Sequence, residues 1–166
     1  MAKAGKSTKG AIDNGQDRVV CRNRRARHDY DILDTLDCGI ALVGSEVKSI
    51  RDNRVTLDEA YARIEDGEVW LYNADIAEYP QANVMNHEPR RKRKLLLKRR
   101  EIRKFAEDAA HEGKTLVPLE LFFRRGIAKV KLAVAKGRRQ HDKREQLKKA
   151  AAGKEIREAM RQRMRG

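Results

Sequence analysis

The side chains best placed to do chemistry in this chain are cations, gathered in two windows. Residues 90 to 104 run Arg90-Arg91-Lys92-Arg93-Lys94-Leu95-Leu96-Leu97-Lys98-Arg99-Arg100-Glu101-Ile102-Arg103-Lys104, ten bases against one acid. Residues 137 to 166 hold eleven bases against four acids. The windows carry +9 and +7, so in a chain of net charge +14 the remainder sits at −2. A near-neutral body with two concentrated cationic elements is the footprint of a protein that docks on phosphate backbones. A single acid in the first window forgoes the i, i+4 pairing of solvated helices, and a polyanion relieves such self-repulsion.

Catalytic chemistry has no comparable support. The sequence holds no Gly-x-Ser-x-Gly elbow, P-loop, dinucleotide fingerprint or His-Glu-x-x-His pair. His28-Asp29 and His141-Asp142 are types that ligate divalent ions, yet neighbours on an extended strand point to opposite faces. A metal-dependent nuclease is therefore a distant reading, and neither an enzyme nor a cofactor or metal site is expected. Cys21 and Cys38 lack metal-type spacing and read as buried reduced thiols. No apolar run reaches the ~20 residues that span a bilayer, and the start, Met1 to Ser7, does not lead into an apolar leader. A cytosolic chain is expected, without a membrane partner.

The 166 residues suit one domain with tails. Residues 1–17 read as a mobile arm, 18–136 as the folded domain, and 137–166 as a basic tail disordered in isolation, with a short helix from about Glu155. Tyr30 to Val43 reads as strand. Gly44 to Arg51 reads as a helix with Ser45 as N-cap. Asp66-Gly67 marks a tight hairpin between Ala60–Glu65 and Glu68–Tyr72. A second hairpin turns at Arg124-Arg125-Gly126 between alternating strands. Between the hairpins, a helix opened by Pro89 would carry Leu95, Ile102, Ala106 and Ala109 on one stripe up to Gly113. The implied fold is mainly β with helices: a small oligonucleotide-binding-like (OB-like) antiparallel barrel.

Four blocks in fixed order go further: Asn23-Arg24-Arg25-Ala26-Arg27-His28-Asp29-Tyr30, Gly44-Ser45-Glu46-Val47-Lys48-Ser49-Ile50-Arg51, Arg93-Lys94-Leu95-Leu96-Leu97, and Val134 through Arg144. Together they resemble the bacterial SsrA-binding protein family, small protein B (SmpB), over roughly residues 18 to 149. The resemblance implies a barrel of about six to eight strands with about three helices. It also implies a non-enzymatic protein that holds the tRNA-like domain of transfer-messenger RNA (tmRNA). The resemblance further implies that elongation factor Tu with GTP joins the delivery to stalled ribosomes for trans-translation, and the chain is expected to be a monomer.

Carried over by position, the RNA-facing residues would be Arg24, Arg27 and His28, then Asp37, then Glu46, Lys48 and Arg51, and finally Arg93, Lys94, Leu95 and Lys98. Gly137, Gln140, His141, Asp142, Lys143 and Arg144 would enter the vacant decoding site of the small subunit. The turn Asp37-Cys38-Gly39 carries Asp where the family commonly has Glu, and Ala150-Ala151-Ala152-Gly153 stands in the distal tail where many relatives place a Trp. Composition alone leaves 137 to 144 open between a generic basic tail and a segment that orders on RNA. The competing class is a structural ribosomal protein or assembly factor, also small, basic and tailed.

Overall fold

The computed structural model describes residues 17–111, 113–138 and 140–163. Residues 1–16 of the expected arm lie outside that set. Nine strands and four α-helices follow in the order β1 (Arg18–Arg22), α1 (Arg24–Asp29), β2 (Tyr30–Ile40), α2 (Gly44–Arg51), β3 (Val55–Thr56), β4 (Tyr61–Glu65), β5 (Glu68–Tyr72), β6 (Asp75–Ile76), β7 (Arg93–Leu96), α3 (Arg99–Ala109), β8 (Lys114–Arg124), β9 (Ile127–Gly137) and α4 (Gln140–Arg163), with a 3-10 turn at Asn83–Met85 before β7. The antiparallel sheet runs β1-β8-β4-β5-β7-β2-β9, and β8 also pairs with β9. Six strands thus close on themselves, which removes the exposed edges that an open sheet would carry. Helices α1 to α3 serve this barrel, as the OB-like expectation requires.

Both expected hairpins form. Asp66 and Gly67 have φ of 51° and 74°, and Arg125 and Gly126 have 51° and 75°, the paired left-handed angles that fit a two-residue turn to twisted strands. On β9, Val130, Leu132 and Val134 point into the barrel core. Ala133 and Ala135 point outward, where α1 covers them through Ala26.

Two bulges set which residues reach which face. On β8 the register shifts between Pro118 and Glu120, where proline's missing N–H is tolerated. Leu116 before the bulge and Leu121 and Phe123 after it can therefore share the inner core, although Leu121 lies an odd five positions after Leu116. On β2 the shift between Ile32 and Asp34 leaves Leu33 as the extra residue, which is why this leucine is exposed.

Three local expectations are corrected. Strand β2 stops at Ile40 rather than Val43. Helix α2 is capped by Val43, not Ser45; Ser45 Oγ instead lies 2.9 Å from His87 Nδ1. The helix expected from Pro89 splits into β7 and the shorter α3. Leu95 belongs to the strand, opposite Val69 and Ile40, because burial between two neighbouring strands outweighs its fit to a helical stripe.

Candidate nucleic-acid interface

The fold sorts the ten bases of the first window. Arg90 meets Asp75 and Glu59, Lys92 meets Glu65, Lys94 meets Glu68, and Lys104 meets Asp34. Arg91 and Arg93 both converge on Glu46. Only Lys98, Arg99, Arg100 and Arg103 meet no carboxylate among the described residues, and all four are exposed. Lys98, Arg99 and Arg100 occupy the start of α3, where the helix end already gives positive potential and where cations weaken a helix, and Arg103 follows one turn on. Stability does not explain that placement, and exposed cations at a helix start have the charge that suits an anionic ligand. Of these four, sequence reasoning named only Lys98. The overlooked signal was sign: Lys-Arg-Arg before Glu101 is the reverse of what the start of a helix favours.

Glu46, Arg93 and Leu95, expected to face RNA, are corrected by burial: their exposures are 0%, 0% and 1%. Glu46 accepts four hydrogen bonds, from Arg93 Nε at 2.8 Å, from Arg91 Nε and Nη2 at 2.7 Å each, and from the Val43 amide at 2.9 Å. The remaining donors of Arg93 go to the carbonyls of Ala74, Arg91, Glu88 and Pro89. A buried guanidinium is tolerable only when its donors are satisfied in this way. Burial alone would push the Glu46 carboxyl up, but the Arg91 hydrogen bonds, the Val43 amide and Arg93 hold it below the usual range. The cluster joins α2 to the segment entering β7 and leaves nothing for a ligand.

The other body candidates stay at the surface. Asn23 caps α1 by accepting from the Ala26 amide at 2.8 Å, while its Nδ2 donates to the carbonyls of Leu57 and Pro118. That anchored cap presents Arg24 to solvent, Arg27 against Glu120 at 3.0 Å, and His28 against Asp29 at 3.0 Å. The last contact corrects the expectation of divergent neighbours, since both residues lie on a helix. No group of three or more His, Cys, Asp or Glu suited to a metal ion occurs among the described residues.

Exposed Lys48 lies 5.4 Å from the centre of the Tyr79 ring, and Arg51 lies 5.8 Å from that of Phe123. Lys94 is half-buried. Asp37 accepts from Arg124 at 3.0 Å, and the same guanidinium holds Asp17, whose carboxyl is lowered first by that hydrogen bond and further by Lys131 and Lys129. Asp37 therefore sits in a mixed-charge cluster. Next to it, the buried Cys38 thiol is pushed up to about 12 by burial and by Asp37, and both cysteines are free.

The tail leaves beside α1. Arg138 donates from its backbone N–H to Asp29 O at 3.0 Å, and its guanidinium reaches Asp31 at 2.6 Å and His28 O at 3.1 Å. Beyond it, α4 begins at Gln140 instead of near Glu155, correcting the expected short distal helix. Leu147, Ile156 and Met160 on α4 are exposed. Gly137 and Arg144 are exposed as well. The side chains of Gln140, His141, Asp142 and Lys143 lie outside the described residues, as does Met164. No helix among the described residues is long and apolar enough to cross a membrane.

Comparison with known proteins matches this arrangement. The family model described as SmpB protein matches residues 20–162. An SsrA-binding protein of Geobacillus thermodenitrificans is 48% identical over 154 residues, covering 93% of this chain and 99% of the relative. One from Nitrobacter hamburgensis is 55% identical over 139 residues, covering 83% and 88% respectively. A solved structure reported as "tmRNA-SmpB: a journey to the center of the bacterial ribosome" superposes with a TM-score of 0.63 at 49% identity, covering 75% of this chain and 91% of that one.

Proposed function

The chain belongs to the SmpB family, and from that premise we propose that it binds tmRNA and acts in trans-translation on stalled ribosomes in the cytoplasm. The observation that carries the reading is the sorting of charge. The body neutralises six of the ten bases in its most cationic window with its own acids and leaves four at the start of α3. Arg24, Arg27 and His28 on α1, with Lys48 and Arg51 on α2, supply further exposed donors. Few aromatic side chains are available, 5% of the chain, so the body reads backbone and shape rather than stacked bases.

In this reading the barrel, as a monomer, holds the tRNA-like domain of tmRNA. The alanylated RNA brings elongation factor Tu with GTP. The tail, residues 137 to 166, enters the vacant decoding site and mRNA channel and becomes fixed in place there. Its anchor at Arg138 and its exposed apolar residues support a segment whose partner is elsewhere. His141 stacks or hydrogen-bonds with small-subunit RNA, and Asp142 orients Lys143 and Arg144 toward phosphates.

The test is simultaneous replacement of Asp142, Lys143 and Arg144 by Ala. Peptide tagging on ribosomes stalled at a truncated message should be abolished, with binding to free tmRNA nearly intact. Normal tagging, or an equal loss of free tmRNA binding, would return the tail to a nonspecific polycation.

A further inference from the structure

Between β6 and β7 the chain makes an excursion that the RNA-binding reading does not use. Residues 79 to 86, Tyr79-Pro80-Gln81-Ala82-Asn83-Val84-Met85-Asn86, carry no charged side chain, in a protein in which 39% of residues are charged. At its tip, Val84 is 98% exposed and Met85 88% exposed, more than any other large hydrophobic side chain among the described residues. Isolated exposed apolar residues are ordinary on protein surfaces; two adjacent ones on a fixed protrusion are not.

The protrusion is held at its base. Asn86 Oδ1 accepts from the backbone N–H of Tyr79 at 3.0 Å, and Asn86 Nδ2 donates to Tyr79 O at 2.8 Å. The carbonyl of Tyr79 also accepts from the Ala82 N–H at 3.0 Å, and Ala82 O accepts from the Met85 N–H at 3.2 Å. One side chain thus closes both ends of the excursion. Below it, buried His87 contacts Ile76 O at 2.9 Å and Ser45 Oγ at 2.9 Å, fixing the base to β6 and α2. A tip held this way loses little conformational freedom when it docks.

Charge around the tip selects its partner. The flanking acids, Glu78 and Glu88, are both exposed and form no ion pair among the described residues. No lysine or arginine occurs from Leu71 through Pro89, and Lys48 of α2 meets the excursion at its base, 5.4 Å from the centre of the Tyr79 ring. An apolar tip between two unpaired carboxylates repels phosphate and suits an apolar pocket with a basic rim on a protein. We propose that Val84 and Met85 form a protein-docking site for a basic protein surface on the stalled ribosome, at the tip of an excursion whose base adjoins the RNA-facing Lys48. The choice of the ribosome as partner rests on the proposed function.

The experiment compares the full chain with V84S/M85S, which removes apolar surface that no other part of the fold buries. Complexes with tmRNA are titrated onto purified ribosomes stalled on a truncated message, with free tmRNA binding measured in parallel. Apparent ribosome affinity should fall about tenfold, ~1.4 kcal/mol, with free tmRNA affinity unchanged. Asn86→Ala, which keeps both apolar residues but opens the clamp, should show a smaller loss. A photo-crosslinking benzoylphenylalanine replacing Val84 should attach to a ribosomal protein. Unchanged ribosome affinity for V84S/M85S, or crosslinking to RNA, overturns the assignment. Failure of the unsubstituted chain to bind stalled ribosomes would overturn the proposed function, and this site with it.

Discussion

Replacing Glu46 by Gln separates a structural role from an RNA-contact role at one atom pair. The substitution keeps the shape of the side chain but removes the charge that Arg91 and Arg93 share. Glu46 and Arg93 are fully buried and 2.8 Å apart, and the other donors of Arg93 are committed to four carbonyls. Breaking a buried pair by removing one partner costs about 3–5 kcal/mol, since the surviving charge is left uncompensated. Gln retains one acceptor oxygen, so the low end, about 3 kcal/mol, is expected. For a body of this size that is a fall in Tm of roughly 10 °C.

The pH dependence adds a second readout. Glu46 is held below its ordinary value of 4.5, so its contribution to stability is fully present above that value and is lost as pH falls through the lowered one. The gap between the two chains, measured by thermal unfolding followed by circular dichroism, should therefore narrow on acidification below 4.5. Affinity for tmRNA, measured well below both melting temperatures, should be nearly unchanged. An unchanged Tm with lost RNA affinity would refute the reasoning and restore Glu46 as an RNA contact.

Two further expectations follow from the surface. Ending the chain after Arg138, which retains the Asp31 ion pair, should move Tm by no more than about 2–3 °C and leave free tmRNA binding unchanged; a large loss of stability would mean that α4 packs on the body. If the body engages about 5 phosphates, log affinity for tmRNA against log salt should have a slope of about −3.5 to −4.5, and replacing Arg99 and Arg103 by Ala should flatten it by roughly 1.4–1.8; an unchanged slope in that double variant would remove the start of α3 from the interface.

What the sequence made legible was whatever depends on neighbours along the chain. The Asp66-Gly67 turn needed only two residues that accept positive φ, and the β9 alternation needed only its own period. The segment from Arg93 to Leu96 was misread because charged residues and leucines fit a helix locally. Its strand state is decided by Gly39 and Ile40 on one side and by Val69 through Leu71 on the other. The bulge at Pro118 has a local cause, yet its effect, bringing Leu116 and Leu121 to one face, appears only once β9 is in place. The same distinction separates Ser45 as an expected cap from Ser45 as a partner of His87, 42 residues away.

Charge follows the same logic, with larger consequences for function. A window of ten bases and one acid looks unbalanced because its acids lie elsewhere in the chain: Glu46 is 47 residues from Arg93, and Asp34 is 70 from Lys104. Counting charges in a window therefore overstates the surface available to RNA. Folding supplies the subtraction, and its remainder is Lys98, Arg99, Arg100 and Arg103. These residues are interpretable because they violate a local rule, placing cations where the helix end is already positive. A cation paired internally, as the buried Arg93 of β7 is with Glu46, serves the fold; the exposed cations at the start of α3, paired with no acid among the described residues, carry the charge that the proposed RNA reading uses. The uncharged excursion at Val84 and Met85 breaks the opposite rule, exposing apolar surface in a highly charged chain, and by the same reasoning it points to a different class of partner.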